Sequence, residues 1–360
     1  MPPYLYVSAW DPSGLTIVDA NGNPATWGTV GHILDTGATP LGGPGIAAVH
    51  AGIAYIPCQV DNCLSIVDVS DPINPVFLAS IGGAGAPNYT SGAWHALYRR
   101  PGIVYVASVI DNAISIFDVS NPLAPALLGV LRGAGAPNWL GQATTVDVDD
   151  NLIACVAARS DNSMTVINVA NPAAPVTLGH IAGAGAPNRL SNIRRVIKVG
   201  NYVYTCAFLD AAVSVFDVTN PAAPALHGQV VHANLGSAFD MSIYGNYAYV
   251  SCQVNPGRVT IIDITNPAAP AYVNAIADAR IRSTQGNTIF TRSFPYIYVC
   301  GSNAVTDALV WYNVINPAAP LYVSQIVGQG APNYMGSPFS VTHDIYFPPT
   351  CDTQPATEVT

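Results

Sequence analysis

The chain has 360 residues, of which half are hydrophobic and only 9% are charged, and its formal net charge at pH 7 is −9. Binding to a phosphate backbone needs a basic surface, so this charge argues against nucleic acid as a partner. Turn residues interrupt every apolar stretch before the roughly 18 residues of a membrane-spanning helix, so no membrane insertion is expected.

The N-terminus leads directly into the first strand pattern. Met1, Pro2 and Pro3 precede an apolar stretch at residues 4–8, without a basic region or a cleavage site for export. The sequence therefore does not predict a signal peptide, although a trimmed mature product stays open.

One phrase recurs seven times at intervals of 46 to 50 residues. Each copy is an apolar strand, an Asp or Asn, a Val or Ile, and then, in all copies but the first, Asn or Asp before Pro-x-x-Pro. The anchoring positions are Asp19, Asp68, Asp118, Asn168, Asp217, Asp263 and Asn313. A period near 50 indicates repeated supersecondary units that bury their faces only against their neighbours.

The third copy shows the strands of one unit. A turn at Asp111-Asn112 separates two β-rich stretches, Asn121-Pro122 breaks the second, and two further strands follow. The four predicted strands are residues 103–109, 114–119, 126–131 and 143–148. No helical period of useful length accompanies them. The sequence therefore predicts an all-β, seven-bladed β-propeller with four antiparallel strands per blade.

The two ends of the chain complete one blade. Residues 4–8 read as the second strand of a blade, and residues 339–347 read as a first strand. Pairing of the N-terminal strands with the C-terminal strand would close the ring and remove its open edges. We expect one domain, residues 1–347, and an extended polar tail, residues 348–360.

The phrases Leu64-Ser-Ile-Val-Asp-Val-Ser-Asp-Pro and Ile114-Ser-Ile-Phe-Asp-Val-Ser-Asn-Pro resemble the LVIVD repeat family of β-propellers. The resemblance covers nearly the whole chain. It implies the propeller fold, a surface or secreted location or an origin in a phage genome, and a repeat without known catalytic residues. The Gly-Ala-Gly-Ala-Pro-Asn segments of this chain depart from the family pattern.

Cysteines occur at seven positions. Five lie one per repeat in equivalent strands, where small buried hydrophobic side chains are expected: Cys58, Cys155, Cys206, Cys252 and Cys300. Cys58 and Cys63 flank a hairpin, which leaves a disulfide between them open.

The Gly-Ala-Gly-Ala-Pro-Asn segments connect one blade to the next. They are identical at residues 83–88, 133–138 and 183–188, and nearly so at 328–333. We expect them on the face that carries the Asp-Asn turns. No helix N-terminus or lysine accompanies them, so nucleotide binding is not expected. They are either compact loops or a contact surface for a partner, with Asn88, Asn138, Asn188 and Asn333 as candidate partner-binding residues.

The connections after blades five and six lack this segment. The longer of them contains Arg280 and Arg282, which are candidates for binding a carboxylate or another anionic group of a partner. Solvated surface arginines are the alternative interpretation.

Polar residues fall on the innermost strands, toward a central channel: His50, His95, Asp147, Arg194, Arg195, Asp240, Arg292, His343 and Asp344. Of these, His50, His95, Asp240, His343 and Asp344 are the predicted channel-lining residues. The sequence contains no nucleophile elbow, zinc signature or EF-hand loop, so we expect no metal and no cofactor. These residues form either a solvated channel or a catalytic site in which His95 and His343 approach each other.

The leading hypothesis from the sequence is a non-enzymatic binding or structural module displayed on a virion or cell exterior. Its partners would be the other proteins of that surface assembly. The composition motivates this hypothesis, because Lys198 is the only lysine and Glu358 the only glutamate. The alternatives are a cytoplasmic location and an enzyme or ligand-binding propeller with its site at the channel mouth.

Overall fold

A computed structural model describes residues 4–282, 288–290, 295–302 and 307–343, with the backbone alone for residues 288–290. Within these residues the chain forms seven four-stranded antiparallel sheets, which confirms the predicted seven-bladed propeller. Asp344, which was predicted to line the channel, and the tail at residues 348–360 lie outside the described residues.

The strands follow the order of the repeats. Blade 1 contains β1 (Tyr4–Trp10), β2 (Ser13–Asp19) and β3 (Gly28–Leu34). Blade 2 contains β4 (Ala48–His50), β5 (Ile53–Cys58), β6 (Cys63–Asp68) and β7 (Val76–Gly82). Blade 3 contains β8 (Ala93–Arg100), β9 (Ile103–Ser108), β10 (Ala113–Asp118) and β11 (Ala126–Arg132). Blade 4 contains β12 (Ala143–Val148), β13 (Ile153–Ala158), β14 (Ser163–Asn168) and β15 (Val176–Ala182).

The remaining blades continue this pattern. Blade 5 contains β16 (Ile193–Val199), β17 (Tyr202–Ala207), β18 (Ala212–Asp217) and β19 (Ala225–Val231). Blade 6 contains β20 (Ala238–Tyr244), β21 (Tyr247–Cys252), β22 (Gly257–Asp263) and β23 (Ala271–Asp278). Blade 7 contains β24 (Thr288–Phe290), β25 (Tyr296–Gly301), β26 (Ala308–Asn313) and β27 (Leu321–Val327), and β28 (Pro338–His343) ends the described chain. Short 3₁₀ turns lie at Pro24–Thr26, Ala233–Leu235 and Ala279–Ile281.

The ring closes through strands from both ends of the chain. β28 pairs antiparallel with β1, and Val341 lies opposite Val7 in the register. β28 therefore becomes the innermost strand of blade 1, as the sequence predicts. Closure gives both strands a hydrogen-bonded neighbour and leaves no unpaired edge at this junction.

The hydrophobic core lies between neighbouring blades. Ile116 of blade 3 packs in one cluster with Val146 and Val156 of blade 4. The two middle strands of a blade are buried on both faces, which explains their nearly continuous apolar sequence. Burial of an aliphatic side chain of this size contributes about 1.5–3 kcal/mol relative to exposure.

The repeated Asp or Asn ends the third strand of each blade. Oδ1 of Asp118 accepts a hydrogen bond of 2.9 Å from the backbone N–H of Ser120, and Oδ1 of Asn168 accepts one of the same length from Ala170. Both residue types offer this oxygen, and the Pro that follows cannot continue the strand. The structural role predicted for this position is confirmed.

Glycine lets outer strands approach the Pro-x-x-Pro turn of the next blade. A Cβ atom on Gly129 of β11 would lie 2.3 Å from the carbonyl oxygen of Pro172. Gly31, Gly179 and Gly228 make the same approach in their own blades. Close packing of blade against turn therefore requires the absence of a side chain at these positions.

The six described cysteines are buried free thiols. This confirms the predicted place in the core of five of them, and Cys63 is buried as well. Cys58 and Cys63 lie opposite each other in the register of β5 and β6. Burial raises the pKa of the Cys58 thiol well above its usual value. None of the helical segments in the described part of the chain has the length and apolar character to cross a bilayer.

Candidate functional site

The innermost strands of five blades carry a β-bulge near their first residues. In β8, for example, Ala93 pairs with Ser108 and His95 with Ala107, so Trp94 has no partner in the register. The unpaired residues of the five strands are Trp94, Thr144, Arg194, Phe239 and Phe339. A bulge changes the direction of the side chains that follow it, so these strands depart from simple alternation.

Three of the unpaired residues form an aromatic plug, which is Trp94, Phe239 and Phe339. They come from blades 3, 6 and 1, and their ring centroids lie 5.1 to 6.5 Å apart. Side chains from blades so far apart in the ring meet only near its axis. The plug lies at the level where the innermost strands begin. We call this end of the ring the loop face, because the Gly-Ala-Gly-Ala-Pro-Asn loops lead into those strands.

Arg194 extends the aromatic plug toward blade 5. Its guanidinium carbon lies 5.0 Å from the ring centroid of Phe239 and 5.1 Å from that of Phe208. Burial lowers the pKa of Arg194 to about 10. The positive charge is therefore held against aromatic faces at the loop-face end of the channel.

A polar level follows the plug, formed by the residue after each bulge: His95, Thr145, Arg195, Asp240 and Ser340. Arg195 joins two of the predicted channel residues. Its Nη1 lies 3.5 Å from Nε2 of His95, and its Nε lies 3.4 Å from Oδ1 of Asp240. His95 and Asp240 are only 4% and 5% exposed. The structure therefore brings together a histidine, an arginine and an aspartate from blades 3, 5 and 6.

The hydrogen bonds of His95 determine its tautomer. The backbone N–H of Val146 donates to Nδ1 of His95 over 3.2 Å. Burial, and then the nearby Arg195, lower the pKa of His95 well below its usual value, so the ring is neutral near pH 7. A neutral imidazole has one acceptor nitrogen, which leaves the proton on Nε2. Nε2 of His95 and Nη1 of Arg195 are then two donors that lie 3.5 Å apart.

An inner cavity of about 200 Å³ adjoins the polar level. Besides His95 and Arg195, it is lined by the aliphatic residues Leu97, Val146, Ile197 and Ile243 and by Asp147 and Ser242. Most of these residues come two positions after the polar level on their strands. The cavity is thus lined by polar and aliphatic residues in equal number.

Asp147 lies between the inner cavity and an outer cavity. Its Oδ1 accepts from the N–H of Val148 at 2.9 Å, and its Oδ2 accepts from the N–H of Lys198 at 2.8 Å. Burial raises the pKa of this carboxyl despite both hydrogen bonds. The outer cavity has a volume of about 190 Å³ and also contacts Asp147.

The outer cavity reaches the opposite end of the ring, the hairpin face, which carries the turns between the first and second strands of each blade. Asn151 and Asn201 of two such turns line it. Nζ of Lys198 pairs with Oδ2 of Asp149 at 2.8 Å beside it. The two cavities therefore lie along one path that starts at the hairpin face and ends below the aromatic plug.

The four candidate partner-binding asparagines use their amides inside their own loops. Nδ2 of Asn88 donates to the carbonyl oxygen of Gly82 at 2.8 Å, and the other three make equivalent bonds: Asn138 to Arg132, Asn188 to Ala182 and Asn333 to Val327. Oδ2 of Asp111 in the next blade accepts from the N–H of Ser91 at 2.7 Å. The loops lie beside the Asp-Asn turns, as expected, and fasten neighbouring blades together. Partner binding by these asparagines stays a prediction.

Arg280 is paired within its own loop, and recognition of a partner by it stays a prediction. Its Nη2 pairs with Oδ2 of Asp278 at 2.6 Å, and its guanidinium lies 3.6 Å from the ring centroid of Tyr322. Hydrogen bonding to Asp278 raises the pKa of Arg280. Asp278 of the same loop therefore already neutralises part of its charge. Arg282 is exposed, and carboxylate binding by it stays a prediction.

The remaining channel candidates lie apart from the polar level. His50 stacks on Tyr98, with ring centroids 4.2 Å apart. His343 ends β28, three residues beyond Ser340, which occupies the level of His95. Three residues of strand span roughly 10 Å, so His95 and His343 do not form the catalytic pair considered from the sequence. No group of three His, Cys, Asp or Glu side chains suited to a metal ion occurs in the described part of the chain.

The sequence placed Arg195 and Asp147 toward the channel without assigning them to a site, and it did not predict the aromatic plug. Arg195 and Asp147 were recognisable as polar residues of innermost strands. Their convergence was not, because each bulge shifts the alternation of side chains by one residue.

Solved structures share this fold at low sequence identity. A protein from Lactobacillus plantarum superimposes with a TM-score of 0.76 at 13% identity, covering 95% of this chain and 99% of the other. A putative 6-phosphogluconolactonase from Bacteroides uniformis gives 0.74 at 13% identity, covering 94% and 98%. One from Bacteroides fragilis gives 0.72 at 11% identity, covering 94% and 97%. No curated protein sequence matches the chain.

These structures correct the leading hypothesis from the sequence. The inference from this fold and composition to a non-enzymatic surface module is wrong, because propellers of the same architecture are described as putative 6-phosphogluconolactonases. At this identity the likeness shows the fold alone and transfers no activity.

The repeats themselves give a more specific match. The family model of the LVIVD repeat matches residues 48–81, 102–131, 140–182, 193–231 and 235–278. The matched segments cover more than half of the chain and lie in blades 2 to 6. The protein belongs to the LVIVD repeat family.

Proposed function

We propose that the protein binds a small molecule in its central channel, with the inner cavity as the site. The observation that carries this proposal is the pair of facing donors, Nε2 of His95 and Nη1 of Arg195, at the polar end of that cavity. Two donors this close leave room for a shared acceptor, and a ligand oxygen could accept a hydrogen bond from both.

The position of the cavity supports the same proposal. Binding sites are concave, mostly apolar, and contain a few polar groups that fix orientation. The inner cavity is concave and lined by four aliphatic and four polar residues, which come from four blades. Its volume of about 200 Å³ suits a molecule of a few non-hydrogen atoms.

The expectation that the chain is not an enzyme is kept as a prediction. The titratable groups of the inner cavity, His95 and Asp147, both accept hydrogen bonds from backbone N–H groups. These bonds hold the acceptor atoms that a general base would need. We therefore expect a bound molecule to be released unchanged, which NMR of the recovered ligand checks.

Filling the inner cavity tests the binding proposal. Ile197→Trp places a large ring in the cavity, while Ile110→Trp adds the same ring at a position that is 64% exposed. A panel of small acids, amides and sugars is screened by ligand-observed NMR against the wild type and both variants. We expect hits on the wild type that Ile197→Trp weakens at least about tenfold and Ile110→Trp leaves unchanged.

The screen also shows how the proposal fails. Hits that bind Ile197→Trp as well as the wild type, or a panel without hits, contradict a channel site. Leu97→Phe provides a smaller obstruction if circular dichroism shows that Ile197→Trp does not fold.

A further inference from the structure

We propose that the inner cavity selects a small monocarboxylic acid, with one carboxylate oxygen held between Nε2 of His95 and Nη1 of Arg195. This inference rests on the channel-binding function proposed above and names its ligand class.

The donor geometry suits a single oxygen. The two nitrogens lie 3.5 Å apart, so one oxygen can accept from both at normal hydrogen-bond lengths of about 2.8 Å. The backbone N–H of Val146 fixes the ring of His95 by occupying Nδ1. The charged guanidinium then favours an ionised acceptor, since charge-assisted hydrogen bonds are the stronger kind.

The surrounding charges favour one negative charge over two. Asp240 lies 3.4 Å from Nε of Arg195, and the carboxyl of Asp147 borders the same cavity. A phosphate dianion would add two negative charges beside these carboxyl groups, and the repulsion between like charges makes this unfavourable. A carboxylate adds one negative charge, which the guanidinium of Arg195 can balance although it also contacts Asp240.

The walls favour a short apolar body. Leu97, Val146, Ile197 and Ile243 surround the space below the polar level, and Ser242 adds one hydroxyl. The aromatic plug lies at the loop-face side of the polar level, so the ligand would enter from the hairpin face past Asp147. A branched acid of four or five carbons matches this shape and volume.

The decisive experiment compares an acid with its amide. 2-Methylpropanoate and 2-methylpropanamide, and likewise 3-methylbutanoate and its amide, are titrated into the full-length protein by ligand-observed NMR. We expect the wild type to bind each acid at least about tenfold more tightly than its amide. Arg195→Gln should remove this difference, while Arg132→Gln, at an exposed arginine on β11, should preserve it.

A measurement on the wild type keeps the proposal testable if Arg195→Gln does not fold. Among the seven histidines, the ring nitrogens of His95 should shift when the acid binds, while those of exposed His180 should not. Equal binding of acid and amide, or no shift at His95, overturns the acid selectivity and leaves the channel site standing. Channel binding by none of the compounds contradicts both proposals.

Discussion

At the scale of single residues, the channel depends on a histidine that is buried in its neutral form. His95 is 4% exposed and has its Nδ1 occupied by a backbone N–H. Arg195, Asp147 and Asp240 are the charged or titratable groups around it. Burial and the guanidinium lower its pKa, which makes protonation of the folded state unfavourable.

This burial predicts a pH dependence of stability with a definite sign. In the unfolded chain His95 takes up a proton near its usual pKa of about 6.5, whereas in the folded protein it does so only at much lower pH. The unfolded state therefore binds more protons as the pH falls below about 6.5, and the free energy of unfolding decreases. Between pH 7.5 and 5.5 this group should cost about 1 kcal/mol of stability.

Urea denaturation of the wild type and His95→Gln at both pH values measures this contribution. The variant should lose the part of the pH dependence that comes from His95, while His180→Gln, at an exposed histidine, should keep it. Identical pH dependence in the wild type and His95→Gln would show that the ring is not held neutral by the fold.

At the scale of elements, the outer strand of one blade meets the Pro-x-x-Pro turn of the next. Gly129 of β11 faces Pro172 at a bulge, where the register shifts between Ile116 and Phe117. The bulge brings the strand against the turn, and only glycine leaves room for the carbonyl oxygen. The outer strand thus contributes blade packing as well as sheet hydrogen bonds.

A side chain at Gly129 should therefore separate the strand from the turn. Gly129→Val is expected to lower the free energy of unfolding by about 1–3 kcal/mol, because the backbone must move to relieve the overlap. Gly28→Val is the matched control, since Gly28 also lies on an outer strand but has no neighbouring atom within 4 Å of the point where a Cβ would lie. Equal destabilisation of both variants in urea would exclude close packing as the cause.

At the scale of the whole molecule, closure of the ring creates the channel. β28 supplies Phe339 to the aromatic plug and Ser340 to the polar level, and it pairs with β1 from the other end of the chain. Oγ of Ser340 also donates to the carbonyl oxygen of Gly45 in blade 2, at 3.0 Å. Closure therefore fixes the channel lining as well as the edge of blade 1.

Two truncated chains test whether ring closure by β28 is needed for stability. A chain ending at Gly336 lacks β28 and should melt at a clearly lower temperature or aggregate, because β1 then becomes an open edge. A chain ending at Phe347, the domain boundary predicted from the sequence, should keep the melting temperature of the full chain. The boundary is wrong if the two truncated chains behave alike in differential scanning calorimetry.

The blades, their number and the closure of the ring were predictable from the amino-acid sequence alone. These features follow from local patterns, namely strand alternation, turn residues and the repeated Asp or Asn before Pro. The same patterns occur in successive repeats, which strengthens the prediction. The buried cysteines and the hydrogen-bonding role of Asp118 and Asn168 were predictable for the same reason.

The identity of the side chains that meet in the channel could not be predicted from the sequence. His95 and Arg195 are 100 residues apart in the sequence, and their contact depends on bulges in β8 and β16. A bulge adds one residue to a period of two, so it reverses the face on which the following side chains lie. The sequence pattern does not record that reversal, and for this reason the polar residues of the innermost strands were identified without their partners.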